Sequence, residues 1–254
     1  MRFFETLLVA LSTYSAIPVP QFEWNEKNTA YPLCFLPVVG VLCGGILLAF
    51  YALCVYLQAS ALFFAAVGVC VPLLVTGGIH MDGYMDTVDA LSSHQTRERM
   101  LEILKDPHCG AFAVIYCGIY LLLNVAILSQ VYQQGSVALF CLVFVLSRCL
   151  SGLCAVNLPS ARKNGMLAAF TEHTRRSRSN VALGIVLAVT CGVMAALDIK
   201  LVWFPLAAAA LWVVIYRAVV LRRFGGVTGD TAGFFLQMCE ILSLLGLWIG
   251  GIVL

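Results

Sequence analysis

Apolar residues in this chain come in long uninterrupted runs, separated by polar connections that are alternately long and short. A membrane-spanning helix needs about 20 consecutive apolar residues to cross about 30 Å of hydrocarbon. Seven runs reach or approach that length, at residues 33–57, 61–79, 111–131, 137–156, 181–197, 201–221 and 235–254. Because backbone groups in lipid must satisfy one another, the pattern predicts seven transmembrane helices.

The N-terminal segment differs from these runs. Residues 3–17 are apolar but few, interrupted by Glu5 and closed by Pro18-Val19-Pro20. A signal peptide would place Glu5 badly in its basic leading region. We expect a short interfacial or re-entrant helix, since 15 residues are few for a span. The predicted fold is therefore an all-α, polytopic integral membrane protein, in which residues 1–254 form a single membrane-embedded domain.

Composition supports a protein surrounded largely by lipid. Of the 254 residues, 61% are hydrophobic and 11% charged, whereas a soluble domain carries about 25% charged residues. That balance excludes both a compact soluble fold and a disordered chain. The 11 cysteines are scattered without a CxxC pair, which argues against a zinc site or a disulfide framework. No basic arm is present, so we expect no nucleic-acid partner.

Positive charge is concentrated in the long connections. Of the 15 Lys and Arg residues, only Lys200 falls in a short connection between two runs. The positive-inside rule therefore places the long connections in the cytoplasm, with the N-terminus inside and the C-terminus outside.

Three carboxylates form the clearest candidate site. Asp82, Asp86 and Asp89 follow the second run with i, i+4, i+7 spacing, which places them on one face of a helix. Their mutual repulsion would be relieved by Mg²⁺ or Mn²⁺, which prefer oxygen ligands and also bind diphosphates. A solvated acidic helix end and a proton or cation pathway are the alternatives. Transport is disfavoured because Glu240 is nearly alone as a mid-membrane acid.

Other residues on the same predicted membrane face suit phosphate chemistry. A glycine-rich segment at 225–231 offers backbone donors at Thr228 and Gly229 and a further carboxylate, Asp230. The side chains that we consider as phosphate contacts are Lys105, with its neighbour Asp106, and the membrane-depth arginines Arg148 and Arg217. His80, at the start of the acidic segment, is a candidate base, metal ligand or helix-end hydrogen-bonding residue.

These segments resemble the cobalamin synthase (adenosylcobinamide-GDP ribazoletransferase) family. The similarity is carried by Thr76-Gly77-Gly78-Ile79-His80-Met81-Asp82-Gly83, Asp86-Thr87, Asp89, the stretch from Arg99 to Asp106, Gly110-Ala111-Phe112, Gly225 to Thr231, Gly233, Glu240 and Ile17-Pro18-Val19-Pro20. The pieces occur in the family's order over nearly the whole chain. The chain departs from the family at Ala16, where an arginine is usual, and at Pro107-His108-Cys109.

The resemblance implies Mg²⁺-dependent transfer of phosphocobinamide from adenosylcobinamide-GDP to α-ribazole or its 5′-phosphate. The products would be adenosylcobalamin, or its phosphate, and GMP, formed at the cytoplasmic face of a bacterial cytoplasmic membrane. Asp82, Asp86, Asp89 and Asp230 would hold the metal, and Asp89, or else His80, would accept the hydroxyl proton. Lys105, Asp106, Arg148, Arg217, Thr228 and Gly229 would contact substrate.

The alternative enzyme is a CDP-alcohol phosphotransferase, whose Asp-Gly-x-x motif is similar. In that family Ala-Arg follows, whereas in this chain Asp86 follows Met85 at that point. The sequence leaves both a monomer and a homo-oligomer open.

Overall fold

A computed structural model of the protein describes residues 2–20, 31–162, 165–172 and 174–254. Throughout these residues the ordered elements are helices, and the one strand-like pairing is an isolated parallel bridge between Ser160 and Val227. The helices are α1 (Arg2–Tyr14), α2 (Pro32–Tyr56), α3 (Ala61–Gly68), α4 (Cys70–Thr76), α5 (Ile79–Ser92), α6 (Arg97–Ile103), α7 (Ala111–Gln133), α8 (Val137–Asn157), α9 (Met166–Glu172), α10 (Arg176–Leu197), α11 (Trp203–Val219), followed by a π-helical turn (Val220–Phe224), and α12 (Gly229–Val253). The predicted all-α class is confirmed.

Six of the described helices are long and apolar enough to cross a membrane: α2, α7, α8, α10, α11 with its π turn, and α12. A seventh candidate is the bent unit formed by α3–α4 and α5. The prediction of about seven spans in a multi-pass membrane protein is confirmed. The short N-terminal helix is present as α1, although its interfacial or re-entrant setting stays a prediction.

The second predicted span is broken and shorter than expected. Pro72 has no N–H to offer the carbonyl of Gly68, so the helix is interrupted between α3 and α4. Gly77 and Gly78 then adopt φ values of 64° and 80°, which side chains disfavour. The chain turns by 96° into α5. We take residues 61–76 as the membrane-spanning part and α5 as lying outside it.

The last span begins earlier than its apolar run. α12 starts at Gly229 rather than at residue 235, because Thr228 and Thr231 form a capping box. Each hydroxyl accepts a hydrogen bond from the other residue's backbone N–H, which satisfies two donors at the helix start. The cap therefore places Asp230 inside the helix, in its first turn.

Glycines allow the central helices to approach closely. Gly40 and Gly44 on α2 face the backbone of α8, where a Cβ at position 40 would stand 2.9 Å from Cα of Val145. Small residues four apart are a common basis of helix packing in membranes. α8 is consequently enclosed by other helices, and 78% of its most apolar stretch is buried.

The connections separate into two groups at opposite ends of the bundle. At one end the short connections meet: Tyr132 donates to the carbonyl of Ala59 (3.2 Å), and Gln134 donates to that of Trp248 (3.1 Å). At the other end, Arg97 donates to the carbonyl of Phe224 (2.8 Å). This second end, which carries α5, α6 and residues 158–162 and 225–230, is called the long-connection end below.

Candidate active site

The predicted acidic face is present on α5. Asp82, Asp86 and Asp89 all lie within this helix, and their spacing places them along one side. Asp82 is exposed, whereas Asp86 and Asp89 are half-buried. The helical placement of the three carboxylates is confirmed, and it lies at the long-connection end.

Two glycines hold α5 against the start of α12. A Cβ added to Gly83 would stand 2.9 Å from Cα of Asp230, and one added to Gly233 would stand 2.8 Å from the carbonyl oxygen of His80. Backbone therefore lies directly on backbone at this crossing. As a result, Asp230 joins the acidic face of α5, and the positive end of the α12 dipole points into the same region.

Arg162 contributes a cation that the sequence analysis did not single out. Its guanidinium lies 3.3 Å from the carboxylate of Asp230 and donates a hydrogen bond to the carbonyl of Leu101 (3.1 Å). The bridge around Ser160 and Val227 brings this residue to α12, with Val227 N–H donating to the carbonyl of Pro159 (2.8 Å). The signal in the sequence was weak, because Arg162 lies in a loop with several other basic residues.

Among the residues that the structure describes, negative charge at the site exceeds the positive charge that faces it. Partial burial, and after it the charges of Asp82, Asp230 and Asp89, raise the pKa of Asp86 from 3.8 to about 7, while Arg162 opposes the shift. Within the described ranges, the Arg162 guanidinium is thus the cation that faces this group of four carboxylates. An additional cation would stabilise their ionised form.

The donor atoms fit a hard divalent cation. All four carboxylates offer oxygen, which Mg²⁺ prefers, and Mg²⁺ commonly binds one or two carboxylates together with water and substrate phosphates. Within the described part of the chain, no three acidic, His or Cys side chains converge closely enough to hold a metal by themselves. The arrangement therefore suits a metal shared with a phosphate ligand rather than a closed protein cage.

Asp89 lies at the far end of the acidic face. Its carboxylate packs against Gly110, the residue that precedes α7, at a distance that leaves no room for a Cβ there. The neighbouring carboxylate thus explains why position 110 carries a glycine, which has no side chain.

His80 lines a cavity of about 100 Å³ between α1, α2, α5, α8, α9 and α12. The His80 side chain is buried, its ring stacks on Tyr14 with centroids 6.3 Å apart, and its Nε2 has no hydrogen-bond partner among the described atoms. Burial, and then the charge of Arg148, lower the pKa of His80 to about 3, so the ring is neutral. Asp82, Asp230 and Gly229 also line the cavity.

Tyr14 and Ser151 also line this cavity, and sequence reasoning missed both. Tyr14 lies in the N-terminal helix, which looked like a membrane-surface element, and Ser151 lies inside an apolar run. Neither position carries a motif, so only the packing of α1 and α8 identifies them.

Lys105 and Asp106 follow α6 and are exposed. Backbone and side-chain hydrogen bonds from His108 lower the pKa of Asp106, with distances of 2.9 and 2.7 Å. Among the hydrogen bonds and ion pairs of the described residues, none joins Lys105 to the carboxylates of α5. Its role in phosphate binding stays a prediction.

The two membrane-depth arginines lie apart from the acidic face. Arg148 is buried in the bundle, where its guanidinium lies 2.7 Å from the carboxylate of Glu240. Arg217 is exposed near the end of α11, and no ion pair for it occurs in the described ranges. The structure therefore does not bring either side chain to the aspartates, and their predicted substrate contacts stay predictions.

Thr228 and Gly229 lie at the start of α12, and they differ in how accessible their backbone N–H groups are. The Thr228 N–H already donates to the Thr231 hydroxyl (2.8 Å), and the Thr228 hydroxyl donates to Asp230 (3.3 Å). Gly229 is exposed, and a Cβ there would meet nothing within 4 Å. Of the two predicted backbone donors, Gly229 is thus the accessible one.

Comparisons with known proteins cover almost the whole chain. The family described as cobalamin-5-phosphate synthase matches residues 6–248. A protein of Lachnoclostridium phytofermentans named adenosylcobinamide-GDP ribazoletransferase is 39% identical over 98% of this chain and 95% of its own. Proteins with the same name from Desulfitobacterium hafniense and Clostridium perfringens are 35% and 29% identical, covering 94% and 97% of this chain and 95% and 98% of their own. No solved structure matches.

The family match and the relatives agree on the same region and on the same class of enzyme. The chain belongs to the cobalamin-5-phosphate synthase family, and it is a transferase of cobalamin biosynthesis.

Proposed function

We propose that the protein transfers the phosphocobinamide group of adenosylcobinamide-GDP to α-ribazole or α-ribazole 5′-phosphate. The observation that carries this proposal is the crossing of α5 and α12, which joins three carboxylates of one helix to Asp230 at the start of the other. The names of the relatives, which match over nearly their full length, support these substrates.

In the proposed reaction, a ribazole hydroxyl oxygen forms a bond to the phosphorus of the phosphocobinamide group. The bond from that phosphorus to the GMP oxygen breaks, GMP leaves with the electron pair, and the hydroxyl proton passes to a base of the protein. The products are adenosylcobalamin, or its 5′-phosphate, and GMP.

Mg²⁺ is the proposed cofactor, held by Asp82 and Asp86 with either Asp89 or Asp230, and by phosphate and water oxygens that complete its shell. When bound, it would neutralise negative charge on the diphosphate and on the leaving GMP. The raised pKa of Asp86 supports a cation at this position, because crowded carboxylates favour one that keeps them ionised.

Contacts to the phosphates would come from the start of α12 and from nearby cations. Gly229 offers an accessible N–H at the positive end of the helix dipole. Arg162, which already lies beside Asp230, is positioned to orient that carboxylate. Lys105, exposed at the same end of the bundle, is proposed to reach the donor's phosphates.

Asp89 is the first candidate for the base that accepts the hydroxyl proton, and His80 is the second. The two residues differ in setting, because Asp89 is half-buried at the far end of the acidic face while His80 lines the cavity between the helices. Substitution of Asp89 should therefore lower kcat, whereas substitution of His80 should mainly raise the KM for the acceptor.

The proposed location is the bacterial cytoplasmic membrane, with the long-connection end in the cytoplasm, the N-terminus inside and the C-terminus outside. The distribution of Lys and Arg supports this orientation. It would place the acidic face where water-soluble nucleotides are available.

The test uses purified protein in liposomes with Mg²⁺, adenosylcobinamide-GDP and α-ribazole phosphate, with GMP and the coupled corrinoid separated by chromatography. We expect stoichiometric products that disappear with EDTA and fall by at least about 100-fold in Asp86→Asn. Glu98→Gln removes an exposed carboxylate of α6 and serves as the matched control. Full turnover in Asp86→Asn would refute the metal assignment, and product formed only from a CDP-activated lipid alcohol would refute the substrates.

A further inference from the structure

The cavity beside His80 has two kinds of wall. Most of its surface is apolar, formed by residues such as Leu33, Leu36, Leu167 and Leu236. Asp82 and Asp230, which belong to the acidic face, line the same cavity. A ligand in this space would therefore have an apolar environment for one part and carboxylates within reach of another.

His80, one of the residues that line the cavity, has a ring nitrogen without a partner. His80 Nε2 is inaccessible to solvent and makes no hydrogen bond to any described residue, and the side chain as a whole is 6% exposed. Leaving a buried donor or acceptor unpaired costs about 1–3 kcal/mol. Such an atom in the wall of a cavity is explained when a ligand supplies the missing hydrogen bond.

Aromatic residues hold the imidazole in place. The Tyr14 ring stacks on His80 at an interplanar angle of 27°, and Phe170 contacts Tyr14 edge-on, with centroids 6.3 Å apart. The ring of His80 is therefore fixed by α1 and α9 rather than free to turn towards another partner.

We propose that this cavity binds the base of the acceptor nucleoside, a flat and mostly apolar aromatic ring with a hydrogen-bonding nitrogen that pairs with His80 Nε2. This inference rests on the proposed function and adds the place of the acceptor. With the base among the leucines, the sugar extends towards Asp82 and Asp230, where its hydroxyl meets the phosphorus under attack.

The chemistry of the walls disfavours the other ligands that could enter. A guanine base carries several donors and acceptors along its edge, and the leucine walls would leave most of them unpaired. A lipid acyl chain would fill the apolar space but leave His80 Nε2 without a hydrogen bond. A largely apolar ring with few polar atoms would pack against the leucines and also supply a hydrogen bond to His80 Nε2.

The test measures α-ribazole binding directly, by equilibrium dialysis with the full-length protein in detergent, and in parallel measures KM for each substrate. Ala155→Leu on α8 and Ala232→Leu on α12 add volume inside the cavity from two different helices. Ala210→Leu makes the same change on the exposed side of α11 and is the control. His80→Phe keeps a ring against Tyr14 but removes the nitrogen, and His80→Gln restores a polar atom.

We expect both filling variants to weaken α-ribazole binding by at least about tenfold, while the KM for adenosylcobinamide-GDP changes by less than about threefold. His80→Phe should weaken binding about tenfold, and His80→Gln should recover part of that loss. Ala210→Leu should bind as the unmodified protein does. Each variant is accepted only if it elutes as a single species and melts cooperatively.

Unchanged α-ribazole affinity in folded Ala232→Leu and His80→Phe would overturn the inference. So would a KM increase confined to the GDP-linked donor, since the cavity would then hold the donor's base. If the filling variants abolish α-ribazole binding but the unmodified protein forms no product, the cavity is supported as the nucleoside site and the proposed reaction is contradicted. If every variant forms product with an unaltered KM for the acceptor, the proposed reaction is supported and the cavity is excluded as the nucleoside site.

Discussion

The guanidinium of Arg148 on α8 lies 2.7 Å from the carboxylate of Glu240 on α12, and both side chains are buried within the bundle. Ser147 donates a second hydrogen bond to the same carboxylate (3.0 Å). Two charges that would each be costly at membrane depth therefore satisfy one another and connect the two helices.

Removal of one partner should destabilise the protein strongly. Glu240→Ala leaves an unpaired buried guanidinium, which costs about 3–5 kcal/mol. We expect a large drop in Tm in detergent. The double variant Arg148→Met, Glu240→Leu should recover most of the loss because neither charge remains. A Glu240→Ala melt identical to that of the unmodified protein would show that the pair contributes nothing.

The stability of the metal-free protein should fall as the pH rises from about 4 to about 7. Burial and the neighbouring carboxylates raise the pKa of Asp86 to about 7, so the unfolded chain releases this proton at lower pH than the folded protein does. Folding is thus favoured while Asp86 is protonated, and the favourable contribution is lost as the folded carboxyl ionises.

Melting curves in EDTA across this range measure the effect. Asp86→Asn should flatten the pH dependence and melt a few degrees higher than the unmodified protein at pH 8, even though it loses activity. Mg²⁺ should raise Tm at pH 8 more than at pH 5 in the unmodified protein. An unchanged slope in Asp86→Asn would show that another group causes it.

The crossing of α5 and α12 should tolerate no side chain at Gly83. In Gly83→Ala the new Cβ meets backbone atoms of Asp230, 2.9 Å from its Cα, so the two helices must separate. We expect at least about a tenfold loss of kcat/KM, since small displacements of reacting groups are costly. Gly118→Ala on the open side of α7, where a Cβ meets nothing within 4 Å, should keep full activity and gain up to about 1 kcal/mol.

Substitution of the two candidate bases should separate their roles. Asp89→Asn should lower kcat by about 100- to 10,000-fold if this carboxylate accepts the proton. His80→Gln should mainly raise the KM for the acceptor. A pH–rate profile for each variant is the measurement, and a normal kcat in Asp89→Asn would remove Asp89 as the base.

The helices and the acidic face could be predicted because both depend on spacing within one segment. Hydrophobic runs specify spans, and i, i+4, i+7 spacing specifies the shared face of Asp82, Asp86 and Asp89. The turn of 96° after Thr76 was not predicted, since an apolar run shows length but not direction. Gly77 and Gly78 were its only local signal.

Contacts between distant segments could not be predicted. Arg162 reaches Asp230 only because residues 159–161 pair with Val227, and no pattern in either segment reports this. Similarly, the sequence identifies Arg148 as a membrane-depth arginine and Glu240 as a mid-membrane acid, but their pairing requires the packing of α8 against α12. Because the sequence does not reveal this pairing, Arg148 was interpreted as a phosphate contact.

α12 reaches both ends of the bundle, with Asp230 in its first turn and Trp248, whose carbonyl accepts from Gln134, near its last. The lipid around this helix can thus act on the site, because tilting is one way in which a helix accommodates a bilayer of unmatched thickness, and a tilt of α12 would move Asp230 relative to Asp82. We expect turnover in liposomes to peak at one acyl-chain length and to fall severalfold in thinner and thicker bilayers. Equal rates in all three would show that the crossing with α5 holds Asp230 regardless of the lipid.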